Sequence, residues 1–165
     1  MSFYSPTIRL RRFTQVTPEL LQELGVKGIV TDLDDTLAPR NVYVPDDEVS
    51  AWVSDMQKAG IRICIVSNNS KNRVKTFADP VGLTWFSRAM KPSRKGVFKA
   101  LDAMGLTKDE TVFLGDQLFT DMIAANRCRM RSILVEPVGD YGGWFVQVKR
   151  AFENLLRKKM PYDYE

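Results

Sequence analysis

Histidine is missing from this 165-residue chain altogether. Without imidazole there is no Ser-His-Asp triad, no His-ligated zinc site and no phosphohistidine. Any catalysis runs on carboxylates, hydroxyls, amides, lysine, arginine or cysteine. Cysteine is scarce as well: Cys64 lies in an apolar run, Cys128 in a basic one, and no CxxC exists. That removes a dithiol redox motif and a thiolate zinc site. Six residues beyond the two cysteines stand Ser70 and Leu134, where a cysteine phosphatase needs arginine. Two cysteines in a chain large enough to fold without staples point to a reducing compartment. No apolar run approaches the roughly 18 residues of a membrane span, and the opening MSFYSPTIRLRRF has no signal-peptide core. The expectation is a cytoplasmic protein. GxxxxGK[ST] and GxGxxG are absent too, so neither a P-loop kinase nor a Rossmann dehydrogenase is written here.

What remains is ordinary globular material. Apolar residues make up 44% and charged residues 27%, and 24 Lys and Arg against 20 Asp and Glu leave a net charge of +4. The length suits one domain over residues 1–165. No repeat or linker divides it. The recurring pattern is a short apolar strand followed by a helix. Strands are expected at 27–31, 61–66, 83–86, 111–114 and 132–135. Helices are expected at 17–24, 47–59, 71–78, 93–104, 119–128 and 144–158, the last with Phe145, Val148, Phe152 and Leu155 at helical spacing. Alternation of this kind implies an α/β fold with a mainly parallel sheet and helices on both faces. Ligands of such sheets bind beyond the carboxyl ends of the strands.

Four polar segments stand at or just beyond strand ends. Asp32-Leu33-Asp34-Asp35 puts three carboxylates in four residues, a density that a proton or a cation must relieve. Mg²⁺ suits such a group, because it takes one or two carboxylates, keeps waters and binds phosphate. A charged turn is the plain alternative. Asp116, with Asp121 after it, can complete a metal site, or Asp116 can simply cap a helix. Ser67 and Asn68 offer a hydroxyl, an amide and backbone N–H groups for phosphate oxygens, or an N-cap. Lys91 offers a point charge for phosphate, or is a solvated surface lysine.

Taken in order, GIVTDLDDTL, ICIVSNN, KPSRK and VFLGDQLFTD resemble the four motifs of the haloacid dehalogenase superfamily. The resemblance is strongest to its subclass IIIA phosphatases of the YqeG type, and it runs from about Pro18 to Val135. It implies a three-layer Rossmann-like core and a phosphomonoesterase. In that scheme Asp32 is the nucleophile that becomes an aspartyl-phosphate, and Asp34 is the general acid, then base. Mg²⁺ is held by Asp32, the backbone carbonyl of Asp34 and Asp116. Ser67, Asn68 and Lys91 hold the phosphoryl group. Asp121 orients the metal's waters, Thr36 hydrogen-bonds near the nucleophile, and Asp35 faces away. Where many superfamily members carry a second acid directly after the first in the last motif, this chain has Gln117.

Only 34 residues separate Asp32 from Ser67, and 23 separate Ser67 from Lys91. A flap, a helix and a strand use the first interval; a helix and a short strand use the second. No cap domain fits, so the cleft is expected to be open to a phosphate on something large. Arg9, Arg11 and Arg12 near one end and Lys149, Arg150, Arg157, Lys158 and Lys159 near the other add basic character. The favoured expectation is a last helix packed on the sheet by its apolar stripe, with a solvated basic face. The sharper one is a peripheral contact with anionic lipid. The subclass resemblance extends to phosphatidylglycerophosphate phosphatases, so the partner expected is a phosphorylated substrate, with a phospholipid head group as the named candidate; nothing indicates nucleic acid. Two other classes stay open. One is a receiver-like phosphoacceptor, and the other is a non-catalytic module on this fold that binds RNA, ribosomes or a protein.

Overall fold

Strands buried on both faces are continuous apolar runs rich in β-branched residues, and Gly28–Thr31 and Arg62–Val66 are of that kind. The computed structural model describes residues 2–139 and 143–164; Met1 and Glu165, the ends of the expected domain, and residues 140–142 lie outside them. The strands are β1 Ile8–Arg9, β2 Gly28–Thr31, β3 Arg62–Val66, β4 Thr84–Phe86, β5 Thr111–Gly115 and β6 Arg131–Leu134. They form one sheet in the order β1-β6-β5-β2-β3-β4, and every pair is parallel. The α-helices are α1 Pro18–Glu23, α2 Asp47–Lys58, α3 Lys71–Ala78, α4 Lys95–Met104, α5 Ile123–Arg127 and α6 Trp144–Arg157.

Alternate strand residues feed two cores, as the period of two requires. Ile29, Ile63, Ile65, Val112 and Leu114 join Leu21, Trp52, Met56 and Phe77 from α1, α2 and α3 on one face. Val30, Cys64, Val66 and Phe113 join Val97, Leu101, Ala124 and Ala125 from α4 and α5 on the other. The result is three layers. Caps set the helix starts: Thr17 accepts from the Leu20 N–H at 3.2 Å, and Asp46 accepts from Val49 at 2.8 Å. Between β2 and β3 the chain makes a loop and α2. Between β3 and Lys91 it makes α3, a 3₁₀ turn over Asp79–Val81 and β4. Neither interval holds an inserted domain.

Three expectations change. The first concerns Ile8 and Arg9, which form an edge strand paired with Ile133 and Leu134. A two-residue strand carries too little pattern to be read in a sequence. Its arginine is buried, with Nη1 donating to the Arg157 carbonyl at 2.7 Å and Nη2 to Glu136 at 2.8 Å; Arg9 is part of the structure's interior and not a surface charge. The second concerns the helix expected over 119–128, which begins instead as a π-helical turn, Leu118–Met122, before α5. The extra residue of a π turn is a frequent mark of functional positions, and here it swings Asp121 back to the end of β5.

The third correction is the orientation of α6. Its apolar stripe does not pack on the sheet. Trp144 is 76% exposed and Phe145 70%, and Val148, Phe152 and Leu155 are exposed with them. The buried positions are Glu153 and Arg157. The cause is what lies beneath: carboxylates and carbonyls at the strand ends. Arg157 donates to the Val135 carbonyl at 3.2 Å and also to the Asp116 carbonyl. Arg150 pairs with Asp35 and donates to the Gly139 carbonyl at 2.7 Å. The cationic face satisfies those groups and faces inward, which leaves the apolar face outside.

Candidate active site

Parallel pairing aligns the carboxyl ends of the three central strands. Thr31 of β2 is level with Ile65 of β3 and Leu114 of β5. Asp32, Ser67 and Asp116 therefore leave the sheet side by side, and all three are buried. The Asp32 N–H donates to the Leu114 carbonyl at 2.9 Å, extending the ladder by one bond. The chain then turns sharply. Asp35 has a φ of +62°, a left-handed value that aspartate tolerates better than most residues, and its N–H donates to the Ala38 carbonyl at 2.7 Å. This departure from strand geometry separates the three acids of the motif into three environments.

Asp32 faces Lys91, whose Nζ lies 2.9 Å from Oδ1. The same ammonium lies 2.7 Å from Asp121 Oδ1. Asp121 Oδ2 accepts from the backbone N–H groups of Asp116 at 3.2 Å and Gln117 at 3.1 Å. This close approach demands Gly115, since a Cβ there would stand 2.5 Å from the Asp121 side chain. Asp116 Oδ1 accepts from the Thr36 hydroxyl at 2.9 Å. Asp34 points to different partners: Asn69 donates to Oδ2 at 2.8 Å, and Arg73 Nε donates to Oδ1 at 3.2 Å. Asp35 is fully buried against Arg40, at 2.9 Å, and Arg150. It faces away from the cleft, as expected, and ties the loop to α6.

Asp32, Asp34, Ser67, Asn68 and Lys91 line a cleft of about 300 Å³, with Arg40, Asn69, Gln117 and Thr120 completing its walls. The plain alternatives to a site lose ground one by one. α3 is capped by Ser70, which accepts from Arg73 at 3.3 Å, so Ser67 is not its cap. Asp116 caps no helix, and Lys91 is buried rather than solvated. Asn68 lines the cleft and has a bracing role besides. Its amide accepts from the Lys91 N–H at 2.7 Å and donates to the Lys91 carbonyl at 3.1 Å. It therefore braces the lysine's backbone.

Asp32, Asp116 and Asp121 place one carboxylate oxygen each within 4.8 Å of one another. Asp34 and Asp35 are matched by arginines, whereas these three share a single lysine. The surplus is two negative charges, that of a divalent cation's counterpart. Asp116 Oδ2 is buried and has no hydrogen-bond partner among the described residues, the kind of orphan a cation relieves. The donor set is all oxygen, which fits a hard ion. The group includes Asp121, expected only to orient the metal's waters, while the Asp34 carboxylate is turned toward Asn69 and Arg73.

The electrostatics follow from that crowding. Burial pushes Asp32 up to about 7; Lys91 opposes the rise and Asp121 adds to it. Asp116 is held well above the usual carboxylate range, by burial first and then by Asp121 and Asp32. Lys91 rises because Asp121 and Asp32 outweigh its burial. Burial also pushes the Cys64 thiol up to about 12 and raises that of Cys128.

Arg73 and Arg40 carry no signal in the sequence, and Asn69, which belongs to the strand-end segment 67–69, gives none of its link to Asp34. Arg73 and Asn69 reach Asp34 across more than thirty residues of chain, and an arginine inside a helix carries no signal of its own.

Comparison with known proteins agrees with the motifs. The family model described as haloacid dehalogenase-like hydrolase matches residues 9–129. The probable phosphatase YqeG of Bacillus subtilis (strain 168) is 36% identical over 167 aligned positions, covering 99% of this chain and 97% of that protein. Phosphatidylglycerophosphate phosphatase 1, chloroplastic/mitochondrial, of Arabidopsis thaliana is 24% identical; the match takes in 94% of this chain and only 48% of that longer protein. Among solved structures, the cobalt-bound deoxy-D-mannose-octulosonate 8-phosphate phosphatase of Haemophilus influenzae superposes with a TM-score of 0.56 at 12% identity, over 82% of this chain and 89% of the other. An uncharacterized protein from Listeria monocytogenes serotype 4b gives 0.55 at 18% identity, over 82% and 100%. Identities this low speak to the fold alone.

Proposed function

The chain belongs to the haloacid dehalogenase-like hydrolases and is a phosphoric monoester hydrolase of that family, and on this premise we propose that it works through an aspartyl-phosphate on Asp32 with Mg²⁺ as its cation. The observation that carries the reading is the unbalanced carboxylate cluster with its orphaned Asp116 Oδ2, whose member Asp32 lines a cleft together with Asp34, Ser67 and Lys91. Asp32 and Asp116 would hold the ion, with Asp121 beside them; the resemblance to subclass IIIA adds the Asp34 carbonyl. When bound, Mg²⁺ offsets charge on the transferring phosphoryl group.

The protein's own groups account for the remaining chemistry. Asp32 supplies the carboxylate oxygen that bonds to phosphorus as the ester bond breaks. Asp34, held by Asn69 and Arg73, gives a proton to the departing alkoxide. It then takes a proton from the water that attacks the aspartyl-phosphate, and phosphate leaves with Asp32 restored. Lys91 keeps a positive charge between Asp32 and Asp121, and the Ser67 hydroxyl stands at the neighbouring strand end. Asn68 acts on this site by positioning Lys91. Thr36 fixes Asp116 by its 2.9 Å bond.

The substrate we infer is a phosphate monoester on a large amphiphile, with phosphatidylglycerophosphate as the leading case. The open cleft and the activity for which the Arabidopsis relative is named support it. Phosphate release with and without Mg²⁺ would be followed on that lipid, sugar phosphates, nucleotides and phosphopeptides. Mg²⁺-dependent release that disappears in Asp32→Asn supports the reaction, and the preferred panel member names the substrate. Equal release by wild type and variant would sink the assignment of Asp32.

A further inference from the structure

Helix α6 is amphipathic in the reverse sense. Burying large apolar side chains is a main source of folding stability, yet Trp144, Phe145, Val148, Phe152 and Leu155 all lie more than half exposed along one side of it. The patch extends beyond the helix: Phe152 stacks on Phe119 with centroids 5.9 Å apart, and Phe119 meets Tyr4 edge-on at 6.0 Å. A continuous exposed apolar surface of this kind marks an interaction site.

Its position relative to the cleft and its charge narrow the occupant. Phe145 and Lys149 line a hollow of about 250 Å³ whose opposite wall, Arg40, Asn68 and Gln117, is also wall of the phosphate cleft. Lys158 and Lys159 are exposed where the stripe ends. The helix's one acid, Glu153, is buried. The surface is therefore apolar with a cationic margin and carries no exposed carboxylate on the helix. A second copy docked α6 to α6 would bring lysines to a face with no acid to receive them. An anionic bilayer supplies both an apolar layer for the stripe and phosphates for the lysines.

We propose that the outward face of α6 seats in the surface of an anionic phospholipid bilayer and holds the mouth of the cleft at the head-group layer. This rests on the phosphatase reading for its purpose, but not for its geometry: a lipid phosphate in the cleft would have its tails beside Phe145 and the stripe.

The test uses the full-length protein and a Trp144→Gln/Val148→Gln/Leu155→Gln variant, whose changes lie on exposed positions outside the cleft. Binding is read by co-sedimentation with vesicles of phosphatidylcholine alone or mixed with phosphatidylglycerol. Activity is read separately on soluble para-nitrophenyl phosphate and on phosphatidylglycerophosphate in vesicles. The wild type is expected to bind the anionic vesicles, and the variant to bind at least about tenfold less. The variant's activity on the soluble ester is expected to stay unchanged while its activity on the vesicle substrate falls. Lys158→Glu/Lys159→Glu is expected to remove the preference for anionic vesicles. Wild type that ignores vesicles of both kinds, or a triple variant that binds them as well as wild type, overturns the proposal. A concentration-dependent dimer that the triple variant dissolves, without vesicle binding, assigns the face to a second copy and overturns it too. Absence of turnover on every substrate would count against the phosphatase reading, while vesicle binding would still decide the proposal.

Discussion

Asp34 and Asp35 are adjacent in sequence and sit in opposite surroundings. The left-handed turn at Asp35 sends one carboxylate to the cleft and the other into a pair of arginines under α6. The strand-end acids could be read in advance because each follows an apolar run whose end the fold rules place at the binding edge. Their partners could not. Arg73 is buried and holds both Asp34 and the Pro39 carbonyl, at 3.2 and 3.3 Å, a contact that only the tertiary fold creates. Arg73→Gln keeps a side chain of similar length but loses the charged grip. It is expected to lower kcat by up to about a hundredfold through a mis-set Asp34, with a smaller change in KM; steady-state kinetics on a soluble ester check this. Unchanged kcat would mean that Asn69 alone suffices.

At the scale of elements, five strands and six helices were legible from period and caps. The misses have physical reasons. β1 is two residues long. The π turn before α5 follows the demand of one side chain, Asp121, for the backbone N–H groups of Asp116 and Gln117. The stripe of α6 has the right spacing for core, but spacing does not say which side faces inward. Arg157 decides that, since it joins the Val135 and Asp116 carbonyls to Glu136 and Glu153. Removing one member of a buried polar group of this kind costs about 3–5 kcal/mol. Arg157→Met should therefore lower the Tm sharply, as read by calorimetry, whereas Lys158→Met, on an exposed residue, should leave it nearly unchanged.

For the whole molecule, the burial of the acid cluster makes stability depend on pH and on the cation. Burial raises Asp32 from its ordinary 3.8 in the unfolded chain to about 7 in the folded one. Between those values the folded state holds a proton that the unfolded state has released. Its contribution is thus fully present at low pH and is lost as pH rises toward 7; the rise at Asp116 acts in the same direction. A bound cation needs these carboxylates ionised, so its stabilisation grows across the same window. Melting curves from pH 4 to 8, in chelator and in Mg²⁺, should show a widening gap in Tm as pH rises. A gap independent of pH would place the ion elsewhere. No described helix is long and apolar enough to cross a membrane.

The most direct test of the account is to quench the enzyme with acid during Mg²⁺-supported turnover and map the phosphoryl group by peptide mass. Asp34→Asn would be run beside the wild type on para-nitrophenyl phosphate, whose leaving group departs without a proton, so that loss of the base accumulates the covalent intermediate as its hydrolysis slows by about a hundredfold to ten-thousandfold. One phosphoryl group is expected on the peptide that carries Asp32, more abundant in Asp34→Asn and absent in Asp32→Asn. Turnover with no phosphorylated peptide in either protein, and with Asp32→Asn still active, would contradict it.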